Sequence, residues 1–559
     1  MSLPSVAAIN ELQTHSFPTL TDAQVDRILA WGVQRQVQSG EILIEPNELS
    51  PPFFVVLSGS IEIVQPGLSG EQIIATHGPN QFTGELTAIS GQRSLVCARV
   101  LEGGTLIEVK AEGLRSVVDR NSDLSEILMR AFIMRRLGMV SAGQGNVVLL
   151  GSRHSARTLE LREFLSRNRH PYKYIDLDAD DASQEMLERF HVTTAEIPVV
   201  ICDGVNVLRS PSIQELADCL GLNSHIDSAN VRDLIIVGAG PAGLAAAVYA
   251  ASEGLRTVVI ENHAPGGQAG SSSRIENYLG FPMGVSGQEL ASRATTQAFK
   301  FGTDMMIARS IVRLDCGRRP YGVVLDSGET MFGRAIVIAT GAQYNKPMLT
   351  NLENFEGNGI YYGATHIESQ LCEGDEVVVI GGGNSAGQAA VFLGQTARRV
   401  YMLVRSGELS CTMSRYLIQR LVENPKIELH MNTEITSVEG RNSLERITWR
   451  NNKTGEMNTH PVQHVFVMAG ASPKTDWLRG CVALDEKGFI LTGRDVESIG
   501  PSPETPSWPL ERSPQMLETN LPGVFAVGDV RAGSVKRVAS AVGEGAISIH
   551  MVHKALAQL

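Results

Sequence analysis

Two glycine runs carry the chemistry that is most legible in this sequence. Gly238-Ala-Gly240-Pro241-Ala242-Gly243 follows the apolar run Leu234 to Val237, and Glu261 closes the strand-forming run Arg256 to Ile260. Glycines at this spacing make a tight turn and let backbone amides reach a pyrophosphate at a helix N-terminus, while an acid after the next strand accepts from ribose hydroxyls. A second run, Gly381-Gly-Gly383-Asn384-Ser385-Ala386, repeats the spacing after Val377 to Ile380. Two such units imply two nucleotides. Arg405, not an acid, ends the run Val400 to Val404. An arginine there stands where a 2′-phosphate would lie, which favours NADPH over NADH; an arginine on the surface of a turn is the other reading.

The seven cysteines (Cys97, Cys202, Cys219, Cys316, Cys372, Cys411 and Cys481) contain no C-x-x-C pair. No redox dithiol, zinc knuckle or other metal site is readable, and each cysteine reads as a small buried hydrophobe. Their odd number and wide spacing suit a reducing compartment.

The elements that must position these residues fall into several units, because 559 residues exceed what one core supports. With 43% hydrophobic and 19% charged residues, the chain is an ordinary folded α/β protein and not a disordered one. A net charge of −12 supplies no basic field for nucleic acid. Neither a signal sequence nor an apolar run long enough for a membrane span is present, so a cytoplasmic location is expected.

Short strand-like runs (Glu41 to Ile44, Phe53 to Leu57, Ser60 to Val64, Gln72 to Ala75, Thr105 to Val109) alternate with glycine turns and predict a β-barrel or roll, followed by a helix over 124–137 and a joint at 141–145. From Asn146 the pattern becomes βαβαββα within about 80 residues, with helices expected over 156–166, 184–190 and 213–220. Beyond Val231 the pattern is that of two interleaved nucleotide-binding domains, with a proline-rich surface insertion over 500–514.

Together with both fingerprints, Gly266-Gly267-Gln268, Glu276-Asn277, Ala339-Thr340-Gly341 and Thr519 to Asp529 make residues 230–559 resemble the low-molecular-weight thioredoxin reductases. The resemblance implies FAD held by Gly267, Gln268, Asn277, Thr340, Gly341, Gly528, Asp529 and the stretch Arg537-Val538-Ala539, with Asp529 on the ribityl chain, and it implies a homodimer. The chain departs from that family at its redox centre. The family's C-x-x-C reads here as Gly363-Ala-Thr-His366, with Ile367 where an acid follows the second cysteine; the paired arginines are Arg405 and Ser406, and the histidine before them is Val404. His366 could donate a proton beside the flavin or simply line the domain interface. Flavoproteins of this kind without the dithiol exist as ferredoxin–NADP reductases.

Residues 146–222 resemble thioredoxin and glutaredoxin, with Ile197-Pro198 at the family's cis proline and Ser155 and Thr158 at the positions of its cysteines. A docking or structural role follows, since hydroxyls do not replace thiolates in disulfide exchange. The first unit resembles cyclic-nucleotide-binding domains: Phe82 to Leu86 and Arg93-Ser94 match the phosphate-binding cassette, which implies that Gly84, Glu85, Arg93 and Ser94 contact a cyclic nucleotide, Glu85 at its ribose and Arg93 at its phosphate. A shorter loop between them and Leu95 in place of a small residue leave a degenerate structural role open.

The expected architecture is multidomain: a β-roll over 1–140, an α/β thioredoxin-like unit over 146–222, an FAD-binding Rossmann-like domain over 230–345 and 475–559, and an NAD(P)-binding one over 346–474. The expected function is transfer of hydride from NADPH to FAD and onward to an acceptor such as a ferredoxin, a quinone or a thiol protein. Two rivals stand beside it: a thioredoxin-disulfide reductase using cysteines such as Cys372 and Cys411, and a cyclic-nucleotide-gated flavin sensor.

Overall fold

The structure, a computed structural model, describes residues 15–67, 70–142, 145–178, 196–203, 206–223, 226–227, 229–441, 443–498 and 505–558. The joint expected at 141–145 and the insertion at 500–514 are thus described only in part, and the helix expected over 184–190 lies outside the described residues.

The N-terminal unit packs two antiparallel sheets, a four-stranded one and a three-stranded one. All five expected strands form, joined by Val33–Val37 and Cys97–Glu102. The core fills with Phe53, Phe82 and Phe132, whose rings meet at 5.6 to 6.2 Å. Phe132 belongs to the helix Ser122–Ser141, longer at both ends than its sequence pattern predicted. That helix is buried over Leu124, Leu128, Phe132, Arg136 and Met139, so a lone apolar stripe does not mark its length.

In the middle unit four strands run in the order Asn206–Arg209, Val199–Cys202, Val147–Gly151, Tyr172–Asp176, only the last pair parallel. The Ile197–Pro198 peptide is cis. Ser155 caps the helix Ala156–Arg167 by accepting from the Thr158 amide, and Thr158 is wholly buried against Gly151, its hydroxyl without a hydrogen-bond partner.

Strands Arg232–Val237, Thr257–Glu261, Asp304–Ile307 and Thr330–Ile338 form the parallel part of a seven-stranded sheet. Val524–Ala526 returns to pair with Thr330–Ile338. Between those segments a separate five-stranded parallel sheet forms, including Glu376–Ile380 and Arg399–Val404. The short pair Gln343–Tyr344 and Ala471–Ser472 lies at both crossings between the sheets. No helix among the described residues is long and apolar enough to cross a membrane.

One expectation is corrected: Cys316 and Cys481 are joined in a disulfide, and Cys202 and Cys219 interact through their thiols. The sequence reading of isolated thiols failed because strand Ile311–Asp315 brings together positions 165 residues apart.

His77 and His170 are buried, each with a ring nitrogen that has no hydrogen-bond partner. Burial first, and then Arg135 for His77 and Arg136 for His170, push each imidazole down to about 3. The unfolded chain therefore binds protons below about pH 6.5 that the folded chain refuses, and stability is lost as pH falls through that value. The Tm is expected to fall between about pH 7 and about pH 5, and to fall less in His77→Phe; a Tm flat over that range would contradict the assignment.

Candidate functional site

Glu261 ends its strand buried, and both carboxylate oxygens already hold backbone amides: Ala239 N–H at 2.7 Å and His263 N–H at 3.0 Å. The acid thus fixes the fingerprint turn, and a ribose would share its remaining lone pairs. Gly238 has φ of 101°, which a side chain would strain, and a Cβ there would lie 2.5 Å from Ala339 O. At Gly243 a Cβ would lie 1.9 Å from Gly238 O, so helix Pro241–Ser252 is pressed onto the turn. Gly240 differs: its nearest neighbour would be Gly267 Cα at 3.9 Å. Gly240 and Gly267 therefore approach each other closely, a Cβ on Gly267 falling 3.1 Å from Gly240 Cα.

Thr340 and Gly528 lie at the same turn. Thr340 has a buried Oγ1 with no partner, and its Cα lies 3.2 Å from where a Cβ on Gly238 would stand. Gly528, in the turn carrying Asp529, would bring a Cβ within 3.0 Å of Ala242 Cβ, and its amide donates to Glu544 at 2.7 Å. Burial, more than nearby Glu544, holds the Asp529 carboxyl above its usual range, against the opposing pull of Lys536. Gln268, Asn277, Arg537 and Ala539 are exposed, with Val538 half-buried at the start of helix Val538–Gln558. Closely set glycine backbone at a helix N-terminus with an orphan hydroxyl beside it fits a dinucleotide such as FAD.

The second run builds the same local structure. Gly381 and Gly383 precede helix Asn384–Leu393, and a Cβ on Gly383 would touch nothing within 4 Å. Asn384 Oδ1 accepts from the backbone and hydroxyl of Ser414, and Ala386 is buried. Arg405 is exposed and, among the described residues, forms no hydrogen bond or ion pair. That leaves its guanidinium available to a bound phosphate.

Tyr344, which sequence reasoning missed, links the two units. Its buried hydroxyl interacts with Ser385 of the second fingerprint and lies in the field of Asp529; burial raises its pKa, with Ser385 opposing. Arg420 also pairs with Glu276, beside Asn277. Gly363 sits at the same junction, 3.8 Å from Ser271 Cβ when its own Cβ is built. His366 begins helix His366–Leu371 behind a Thr365–Glu368 capping box, and its side chain is outside the described features.

Cys372 and Cys411 do not form a dithiol in any contact of the structure. The Cys372 thiol is wholly buried on Ser369 O and pushed up to about 12, chiefly by burial. The exposed Cys411 thiol donates to Glu408, which raises its pKa.

In the N-terminal unit Glu85 and Arg93 are each engaged elsewhere. Glu85 accepts from Thr87 N at 3.2 Å and faces Arg136 at 3.5 Å. Arg93 donates to Asn47 O at 3.1 Å and lies against Gly221 of the middle unit. Ser94 bonds Val96, and Gly84 O accepts from Arg135 at 2.6 Å. To reach a cyclic phosphate, Arg93 would have to leave Asn47.

Residues 232–545 match the pyridine nucleotide-disulphide oxidoreductase family, more than half of the chain, and the chain belongs to that family. It is a thioredoxin reductase-like oxidoreductase, and residues 34–121 match the cyclic nucleotide-binding domain. The family implies FAD and a nicotinamide nucleotide. The "34.2 kDa protein in rubredoxin operon" of Clostridium pasteurianum is 30% identical over 323 residues, 58% of this chain and 96% of that protein. A thioredoxin reductase of Mycolicibacterium smegmatis is 33% identical over 57% of this chain and 94% of its own length. Among solved structures, thioredoxin reductase of Lactococcus lactis, described as the FR conformation, aligns with a TM-score of 0.52 at 26% identity, over 59% of this chain and all of that one.

Proposed function

We propose that the chain is an FAD-dependent oxidoreductase that takes hydride from NADPH and passes electrons to an acceptor without the dithiol of its relatives. The observation that carries this reading is the ion pair of Arg420, on the helix packed against that of the second fingerprint, with Glu276 beside Asn277, supported by the Tyr344–Ser385 interaction. It supports two nucleotides bound close together in one molecule. Gly240, Gly267, Thr340 and Asp529 would hold FAD, with Glu261 fixing the turn; Gly383, Asn384, Ser385 and Arg405 would hold NADPH. Bound FAD would supply two-electron chemistry, and the chain's own part is to position and shield it. The unit boundaries expected from sequence, a cytoplasmic homodimer and a cyclic nucleotide as ligand of the first unit belong to the same proposal.

The middle unit, in this reading a thioredoxin-like module without redox cysteines, supports a structural role. Its helix Ala156–Arg167 touches both nucleotide units. Arg167 donates to Gly267 O at 3.0 Å and Ala264 O at 3.3 Å, while Leu159 packs into the core around Tyr361 and Cys372.

Arg405 gives the direct test of the donor. A charge-assisted contact to a 2′-phosphate contributes about 1.5 to 3 kcal/mol, or about 10- to 100-fold in affinity. The native protein is expected to be reduced by NADPH in preference to NADH in stopped-flow experiments, and Arg405→Ala should lose that factor for NADPH alone. Equal rates with both nucleotides in the native protein would reject the assignment.

A further inference from the structure

Three units of the chain meet around a cavity of about 80 Å³ that none of the fingerprints lines. Leu86, Ser90 and Arg136 come from the N-terminal unit, Arg167 and Arg169 from the middle one, and Gln288 and Phe299 from the flavin-side unit. That volume admits a small polyatomic ligand and not only one water.

Its charge is unusual. Arg136 is only 7% exposed, its Nη1 has no hydrogen-bond partner, and its one carboxylate, Glu85, stays 3.5 Å away. Arg136 Nε instead donates to Arg169 O at 3.1 Å, which anchors it on the wall formed by Arg169. Arg167 faces Glu163 at 3.3 Å, and its Nε is also unpartnered. The Arg169 guanidinium forms no hydrogen bond or ion pair among the described residues. Burial first, and then the like charges of Arg136 and Arg293 against the pull of Glu289, lower its pKa, and Glu289 is itself paired with Arg293. His170 beside them is buried, and burial keeps it neutral.

Arg136, with Glu85 no nearer than 3.5 Å, and Arg169, without an ion pair among the described residues, leave positive charge beside Arg167, whose own charge Glu163 meets. Burying cations without full partners is costly, and a planar fork of N–H donors is matched by a tetrahedral oxyanion. We propose that this three-unit cavity binds a phosphate group, held by Arg136, Arg167 and Arg169. The site borders the cassette, since Glu85 faces Arg136 and Leu86, Ser90 and Gln92 line the cavity, but it does not include Arg93, which is turned to Asn47 and Gly221. It also touches the flavin-side cleft, since Arg167 holds the carbonyl of Gly267.

The test is isothermal titration of the full-length, flavin-loaded protein with inorganic phosphate in phosphate-free buffer, with NADP+ saturating the nucleotide sites, and in parallel with glycerol 3-phosphate. Binding of at least one is expected; the tighter of the two identifies a free anion or a phosphomonoester as the source. Arg169→Gln should weaken it by about 10- to 100-fold. In the same buffer without ligand, Arg169→Gln should be at least as heat-stable as the native protein and hold the same flavin, because no bond is lost and like-charge repulsion is relieved. A purely structural arginine would instead lower the Tm. No heat with either ligand up to about 1 mM, or binding that survives both Arg169→Gln and Arg136→Gln, would overturn the proposal.

Discussion

Replacing Gly240 with valine is expected to give a folded protein that purifies without flavin. Gly240 has ordinary extended geometry, φ −70° and ψ −178°, which valine can adopt. Its Cβ would meet only Gly267 Cα, at 3.9 Å, so the protein itself has room for the first added atom. The branched methyls would then cover the turn beside Gly267 and keep a pyrophosphate off its amides. Loss of even two charge-assisted hydrogen bonds lowers affinity by at least about 100-fold. Gly243 makes the contrast, because a Cβ there would lie 1.9 Å from Gly238 O and would break the turn itself. Visible absorbance and the Tm of the apoprotein, compared with native protein stripped of flavin, separate the two effects. Full flavin occupancy in Gly240→Val would remove the basis for placing FAD at this turn.

Native protein should not reduce thioredoxin with NADPH above background. Disulfide exchange needs a thiolate within reach of the flavin and a second thiol to resolve the mixed disulfide. Gly363 and His366 supply neither, Cys372 is buried with its thiol raised to about 12, and Cys316 and Cys481 are tied to each other. In the variant Gly363→Cys with His366→Cys, the new Cβ at 363 would lie 3.8 Å from Ser271 Cβ, so the side chain starts without displacing backbone. That pair is expected to close a disulfide, read as two thiols missing from the titration of the denatured protein, and to confer NADPH-dependent thioredoxin reduction. Native activity that disappears with Cys372→Ser or Cys411→Ser would show a relocated dithiol, and the thioredoxin reductase reading would replace this one.

Both fingerprint turns were legible because their glycines answer a local demand: Gly238 and Gly381 take a positive φ, and Gly243 leaves no space for a Cβ. Helix Pro241–Ser252 and strand Thr257–Glu261 followed from the same local pattern. Strand Val33–Val37 was not legible, since its Val-Gln-Arg-Gln-Val sequence is mostly exposed and offers no apolar alternation. Long-range adjacency escaped altogether. Nothing in spacing brings Cys316 to Cys481, Tyr344 to Ser385, or Arg136 to Arg169, because the first depends on two distant segments of one unit meeting and the others on how separate units pack. The cassette residues Glu85 and Arg93 show the converse: the motif reads clearly, but both side chains are committed to neighbours that the motif does not mention.

Anaerobic titration of the purified protein with NADPH, followed by visible absorbance, tests the central claim most directly. Hydride carries two electrons and FAD accepts two, so a flavin without an attached dithiol should bleach fully with a single equivalent of NADPH per flavin. A requirement for two equivalents would reveal a redox disulfide in exchange with the flavin, and a spectrum unchanged by NADPH would contradict the oxidoreductase reading with NADPH as donor.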